Sequence, residues 1–243
     1  MTGNLFGHFK SAFTVLAEGL YPATCVLCGA PGVAGMDLCA DCCADLPWLG
    51  LCCVRCAMPM DRARLVDSVC VSCRQQPPPF VRCRVAFRYL EPLPYLIGGL
   101  KFRDRLDLLR LCGELLATVL PIRDDWQRPE CIVPVPLHPR RLRQRGYNQA
   151  LEIARILGQR LDLPVDARCC ARCLPTPPQV GLNEYERAQN MRGAFRALRP
   201  LTGARLAVLD DVITTGSTIS ALAQALYAAG AARVEAWAIA RTV

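Results

Sequence analysis

Two adjacent carboxylates, Asp210 and Asp211, follow an apolar stretch and precede a hydroxyl-rich turn in Arg205-Leu-Ala-Val-Leu-Asp-Asp-Val-Ile-Thr-Thr-Gly-Ser-Thr218. Carboxylates at that point would accept hydrogen bonds from the vicinal hydroxyls of a sugar. Behind them Thr214, Thr215, Gly216, Ser217 and Thr218 open a helix. A helix start turns unsatisfied N–H groups and a positive dipole end toward one spot, which suits a phosphate. An anion cradle beside a diol clamp describes a ribose 5-phosphate site, and the competing reading is an ordinary strand–turn–helix with a polar corner. The segment is not a Walker A loop, because no Gly-Lys-Ser/Thr stands at the required spacing, and it is not a dinucleotide-binding turn.

A second polar cluster lies in Cys131-Ile-Val-Pro-Val-Pro-Leu-His-Pro-Arg-Arg-Leu-Arg-Gln-Arg-Gly-Tyr-Asn-Gln149. Arg140, Arg141, Arg143 and Arg145 crowd together before Gly146 and a helix. Guanidiniums so close repel one another unless solvated or bound to an anion, and their bidentate forks suit pyrophosphate oxygens, with Arg140, Arg141 and Arg145 the candidates. The segment reads as a loop turning through prolines, and a solvated face is the plainer reading of its arginines. His138 is a candidate proton donor, although a histidine flanked by prolines more often satisfies backbone. A third stretch, Leu174 to Phe195, is long, polar and loop-like. Gln179, Arg187, Asn190 and Arg192, with Thr176, would close over a phosphorylated ligand as a lid. The alternative is a short surface helix over Asn183 to Gln189.

Sixteen cysteines call for a different chemistry. Four CxxC pairs stand near the N-terminus: Cys25/Cys28, Cys39/Cys42, Cys53/Cys56 and Cys70/Cys73. A two-residue gap lets both thiolates of a turn face one ion, and two such pairs complete a tetrahedral all-thiolate zinc site. Two structural zinc ions are therefore expected, each nucleating a ribbon or knuckle too short to build its own core. Disulfides or a redox-active CxxC are the alternatives, but disulfides need an oxidising compartment for which no export signal is seen. Cys42-Cys43 and Cys52-Cys53 are doublets, and only Cys42 and Cys53 keep the CxxC register. Cys170/Cys173 forms a fifth pair without a nearby partner pair. A closed four-cysteine site has no open position and would not catalyse.

These groups need a scaffold. At 243 residues and 52% hydrophobic content, the chain can bury a mid-sized core beside a small domain. Apolar strand-like runs alternate with helical ones: Val81 to Tyr89, Cys131 to Val135, Arg205 to Leu209 and Arg233 to Ala240 as strands; Arg105 to Leu120, Asn148 to Leu161 and Ser217 to Ala229 as helices. That alternation predicts a right-handed, mainly parallel sheet covered on both faces, with ligands at the carboxyl ends of its strands. Gln75-Gln76-Pro77-Pro78-Pro79 reads as a stiff linker before the sheet. The stretch to Tyr21 has helical apolar spacing broken by Lys10 and Glu18, and reads as an amphipathic helix rather than a signal peptide. No run of about eighteen uncharged apolar residues exists to span a membrane. The net charge of +8 is compatible with polyanions but is weak support for nucleic acid by itself.

The segment from Val208 to Thr218 resembles the phosphoribosyl pyrophosphate (PRPP) motif of the type I phosphoribosyltransferases. Four features in order, the paired CxxC region, VPVPLHPRRLRQRGYNQ, TPPQVGLNEYERAQNMRGAF and VLDDVITTGST, with KFR at Lys101 to Arg103, resemble the ComF competence family and its GntX-like members. The resemblance implies an α/β chain: a type I phosphoribosyltransferase-like parallel sheet with helices on both faces, plus a small N-terminal zinc-ribbon domain. The division expected is an N-terminal helix over 1–21, a double zinc-binding domain over 22–76 and a phosphoribosyltransferase-like domain over 80–243. It further implies a cytoplasmic protein that binds PRPP with Mg²⁺ and supports uptake of single-stranded DNA alongside a translocation helicase. Asp210 and Asp211 would hold the ribose hydroxyls and the 214–218 turn the 5-phosphate, in a phosphoribosyltransferase of unread acceptor. A non-catalytic PRPP or nucleotide sensor is the alternative.

Overall fold

The computed structural model describes residues 22–33, 36–61, 67–100, 105–120, 128–174, 191 and 193–243. The expected helix over 1–21 and the Lys101 to Arg103 step lie outside them. The chain forms two compact units, Met1–Leu46 and Pro47–Val243.

One local device occurs once in each unit. In the first, Cys25 N–H donates to Ala30 O (2.7 Å), Gly29 N–H donates to Cys25 O (2.9 Å), and Thr24 bridges Pro31. In the second, Cys53 N–H donates to Met58 O (3.0 Å), Ala57 N–H donates to Cys53 O (2.8 Å), and Cys52 bridges Pro59. The residue after each second cysteine is left-handed, Gly29 at φ 78° and Ala57 at φ 58°. Each knuckle is followed by a short helix, α1 (Ala40–Ala44) and α2 (Val71–Gln75), whose N-cap is the third cysteine of the set. The Cys39 and Cys70 sulfurs accept the N–H of Cys42 and Cys73, so cap and candidate metal ligand are the same atom.

The rest of the second unit is built on four parallel strands, β1 (Arg82–Arg88), β2 (Cys131–Pro134), β5 (Arg205–Ile213) and β6 (Arg233–Arg241), in the order β1-β6-β5-β2. Leu206, Ala207, Val208 and Leu209 are all buried, as a strand covered on both faces requires. Leu206 and Val208 share one core with Ile219, Leu222 and Leu226 of α7 (Ser217–Ala228). Ala207 and Leu209 point the other way along the strand; α6 (Gln149–Leu161) contacts β5 and packs against α4 (Leu106–Thr118). Helix α3 (Leu93–Gly99) follows β1. The outer edge of β1 is covered by the segment that carries the second knuckle. Leu49 N–H donates to Ala86 O (2.9 Å), Arg88 N–H to Pro47 O (2.8 Å) and Cys83 N–H to Val54 O (2.9 Å). Trp48 lies on Phe87 with ring centroids 4.6 Å apart. An edge strand that would otherwise present unpaired backbone is thereby closed.

The seven expected strands and helices appear within a few residues of their expected bounds. Strand β5 differs by running on to Ile213, so Asp210 and Asp211 belong to the strand itself. The arginine run, expected as a loop, folds into α5 (Pro139–Arg145). Pro139 is tolerated in the first turn, His138 caps it, and Gly146 at φ 83° ends it. A small antiparallel ribbon, β3 (Cys170–Arg172) with β4 (Phe195–Ala197), has no counterpart in the sequence reading, because three-residue strands carry no usable period.

Candidate functional site

Strand β5 delivers Asp210 and Asp211 to its carboxyl end beside the end of its neighbour β2, which continues through Val135 and Leu137 into α5. Between them lies a cavity of about 240 Å³ lined by Asp210, Asp211, Thr218, Arg141, Arg145, Arg172, Asn148 and Gln149 over a floor of Val135, Leu137 and Ala150. Asp210 Oδ1 accepts the N–H of Asp211 (2.9 Å), and Asp211 Oδ1 accepts that of Val212 (2.8 Å). Each carboxylate thus spends one lone pair on holding its own rotamer and keeps the rest for a ligand.

A narrow crevice adjoins it, sharing Asp210 and Thr218 and otherwise lined by Val212, Ile213, Thr214, Gly216, Ser217 and Ile219. Gly216, at φ 81°, is the N-cap of α7 and has no side chain to cap it; the Thr215 hydroxyl accepts the Ser217 N–H at 3.4 Å. Thr215 and Ser217 hydroxyls pair with each other at 2.9 Å, which orders the turn. The remaining first-turn N–H donors of this twelve-residue helix, ringed by hydroxyls, have the chemistry to hold an anion.

The electrostatics are divided. Burial, and then the charge of Asp211, push the Asp210 carboxyl well above the usual carboxylate range. On the opposite wall, burial and then the charge of Arg141 lower both Arg145 and Arg172 from the ordinary arginine value. The cavity therefore crowds carboxyl groups at one pole and guanidiniums at the other, and a ligand with hydroxyls at one end and oxyanions at the other would relieve both.

Of the arginines expected here, Arg141 and Arg145 line the cavity, whereas Arg140 and Arg143 are exposed on α5 and do not. His138 is occupied structurally, its Nδ1 accepting the N–H of Arg140 (3.3 Å) as the cap of α5. Gln179, Arg187, Asn190 and Arg192 lie outside the described residues. The two ends of their segment are held together, with Cys173 N–H donating to Ala194 O (2.8 Å), and Arg172 at the end of β3 reaches the cavity. Arg172, Asn148 and Gln149 were not anticipated as site residues. For Asn148 a signal existed, since an asparagine after a helix-ending glycine marks the start of the next helix. Its Oδ1 does cap Ala150 N–H (3.1 Å) while Nδ2 donates to Val135 O (3.0 Å). For Arg172, in an unrecognised ribbon, there was none.

The cysteines gather into two groups of four, Cys25/Cys28/Cys39/Cys42 and Cys53/Cys56/Cys70/Cys73, with all ligand atoms of a group within 4.8 Å of one another. The Cys28–Cys39 and Cys56–Cys70 sulfur separations are 3.6 and 3.8 Å. A zinc tetrahedron with Zn–S near 2.3 Å has an edge of about 3.8 Å, so the donor sets fit that ion. The thiols respond to one another in the same sense. Against the desolvation of burial, backbone N–H groups bring Cys25 down to about 6 and Cys53 down to about 7. Burial drives Cys56 up to about 11, and the Cys39 and Cys28 sulfurs raise Cys42. A shared cation is what lets all four ionise together. Cys43 and Cys52 stand outside both groups as thiols raised by burial, and Cys170 and Cys173 join no metal group among the described residues. Metal analysis of the protein should find two zinc per chain. Cys43→Ser and Cys52→Ser should each keep both, and loss of zinc from either would replace that group's assignment.

Comparison with known proteins adds the following. The double zinc ribbon domain family matches residues 16–74. DNA utilization protein YhgH of Escherichia coli strain K12 is 34% identical over 226 residues, covering 91% of this chain and 98% of that protein. Competence protein F of Haemophilus influenzae is 34% identical over 180 residues, 71% of this chain and 78% of that one. Among solved structures, the glutamine PRPP amidotransferase of B. subtilis, complexed with ADP and GMP, aligns at 18% identity and TM-score 0.39 over 58% of this chain. This chain spans only 30% of that enzyme. A purine phosphoribosyltransferase from Pyrococcus horikoshii aligns at 14% identity and TM-score 0.31, over 61% of this chain and 87% of that one.

Proposed function

This chain belongs to the family of competence protein F and DNA utilization protein YhgH, and from that premise we propose that it binds PRPP and serves DNA utilization through that ligand. The observation that carries the reading is the junction of the acidic pair and the glycine-opened helix start on one continuous surface. A phosphorylated pentose spans such a junction. Its 5-phosphate meets the N–H groups and hydroxyls of the 214–218 turn. Its vicinal hydroxyls donate to Asp210 and Asp211, and its pyrophosphate lies toward Arg141 and Arg145.

Mg²⁺ fits the carboxylate oxygens of this site, and, because it is usually held by substrate phosphates and one or two carboxylates, no further protein cage is needed. When bound it neutralises pyrophosphate charge. The chain's own part is to orient the sugar, hold its hydroxyls and present guanidiniums to the departing oxyanion. In phosphoribosyl transfer, the C1–O bond breaks with its electron pair leaving on pyrophosphate. An acceptor nitrogen bonds C1 and loses its proton to solvent, and the negative charge carried by the acidic pair as a unit stabilises the cationic sugar. The DNA side rests on the names of the relatives and on the net charge of +8. The protein is read as cytoplasmic, and among the described residues no helix is long and apolar enough to cross a membrane.

Calorimetry with PRPP and Mg²⁺, followed by pyrophosphate release against a panel of bases, tests the reading. Wild type should bind, and Asp211→Asn should bind about tenfold more weakly or worse, as expected for loss of a charged hydrogen-bond acceptor. Base-dependent release identifies a transferase, whereas binding without release identifies a sensor. No binding by the wild type removes the proposal. For single-stranded DNA, affinity should fall steeply with salt, and a salt-independent affinity would exclude phosphate-backbone contact.

A further inference from the structure

Gln149 is 2% exposed and lines the cavity, yet its side-chain Nε2 has no hydrogen-bond partner among the described residues. Its Oε1 does have one, accepting from Arg145 Nη1 at 2.7 Å. A guanidinium only donates, so Oε1 must face Arg145, and the amide cannot flip to satisfy its nitrogen. The neighbouring amide behaves in the opposite way, since Asn148 uses both ends on backbone. A buried unpaired N–H₂ is costly in a folded protein and is retained where something else completes it.

What completes it has to offer a hydrogen-bond acceptor. The other groups on that wall, Arg141, Arg145 and Arg172, are cationic, so the matching acceptor is an oxyanion. The second pole of the cavity is taken by Asp210 and Asp211, and the helix-start crevice lies beyond them. Resting on the PRPP reading above, the position left over for this wall is the substituent on C1 of the sugar.

We infer that Gln149 is a ligand-contacting, specificity-determining residue whose locked amide donates to an oxyanion carried on C1, so that the cavity selects a pentose 1-pyrophosphate over the same sugar phosphate with a free C1 hydroxyl. Arg145 serves here as a positioning residue as well as a charge, because it sets which face of the amide the ligand meets. Selectivity then arises from an acceptor-seeking group that water cannot fully satisfy in a buried corner, rather than from net charge alone.

The test is calorimetric titration of wild type, Gln149→Glu and Gln149→Leu with PRPP, ribose 5-phosphate and inorganic pyrophosphate, each with Mg²⁺, alongside melting curves of the free proteins. Gln149→Glu keeps the acceptor for Arg145 but replaces the donor with a carboxylate. PRPP and pyrophosphate affinity should fall about 10- to 100-fold, while ribose 5-phosphate stays within about twofold. Gln149→Leu removes the unpaired donor. It should melt at or above the wild type and still lose about tenfold in PRPP affinity. The inference is overturned if both variants bind PRPP as the wild type does, or if PRPP and ribose 5-phosphate weaken in equal proportion, as a general distortion would cause. Those outcomes leave the PRPP reading standing; a wild type that binds neither sugar phosphate overturns both.

Discussion

Serine in place of Cys53 should cost the protein one of its two zinc ions and much of the stability of its parallel sheet. Cys53 is fully buried, its sulfur accepts the N–H of Cys70 (3.3 Å), and it stands in the segment bonded to β1 through the Cys83 N–H to Val54 O link. Structural zinc contributes on the order of 10 kcal/mol of apparent folding free energy in isolated fingers, comparable with the whole stability of a domain. If only ~4 kcal/mol of that reaches the sheet, the melting temperature falls by roughly 8–16 °C at the ~2–4 °C per kcal/mol typical of this size. Uncovering the edge of β1 should also promote association of the variant. Zinc-to-protein ratio and scanning fluorimetry check both. Cys25→Ser should likewise lose one zinc, but its cluster lies within the Met1–Leu46 unit, so melting of the Pro47–Val243 unit should move far less. A Cys53→Ser protein that melts with the wild type would show that the sheet does not draw on the second cluster.

Asparagine in place of Asp210 should act in opposite directions on stability and on binding. The Asp210 carboxyl is held above its ordinary value by burial and by Asp211. The folded state therefore holds that proton more tightly than the unfolded chain. Its contribution to stability is fully present below the unfolded value, near pH 4, and is lost as pH rises through the raised folded value. Asparagine has no such loss. The variant should match the wild type near pH 4 and exceed it increasingly toward neutrality, with each ~1 kcal/mol appearing as about 2–4 °C. Its stabilisation by PRPP, in contrast, should vanish, because an amide nitrogen faces the sugar hydroxyl where an acceptor is needed. Melting curves from pH 4 to 8, with and without PRPP and Mg²⁺, separate the two effects. A stability difference that does not change with pH would show that Asp210 is not held protonated, and a retained PRPP shift would show that its carboxylate is not a ligand contact. The more stable variant being the less functional one is the usual exchange at a binding site.

What was legible came from short-range patterns. The CxxC spacing places two sulfurs on one turn whatever surrounds it, so the eight clustered cysteines could be named, while the doublets at Cys42-Cys43 and Cys52-Cys53 stayed open until the structure gathered Cys42 and Cys53 into the two groups. The buried run Leu206 to Leu209, the acidic pair and Gly216 are likewise local, and a strand followed by a glycine-opened helix has few other forms. The failures are equally specific. The arginine run read as a loop because its prolines suggested turns, whereas Pro139 fits a first helical turn. The extension of β5 through Asp210 and Asp211 depends on pairing with Ala238 and Ala240 of β6, which no polar dipeptide announces.

From its sequence alone, then, this chain determined its two CxxC clusters, its alternating strands and helices, and its glycine-opened, hydroxyl-rich turn, because each depends on residues within a turn or two of one another. The tertiary structure alone decided that Arg172 and Gln149 share a cavity with the acidic pair, that Arg140 does not, and that the second knuckle closes the edge of β1. Apart from Arg172, which the separate β3–β4 ribbon supplies, those pairings follow from the strand order β1-β6-β5-β2. That order sets the end of β2 beside the end of β5 and leaves β1 at an edge needing a partner, and such neighbours are chosen by burial across the whole sheet rather than by any local residue preference.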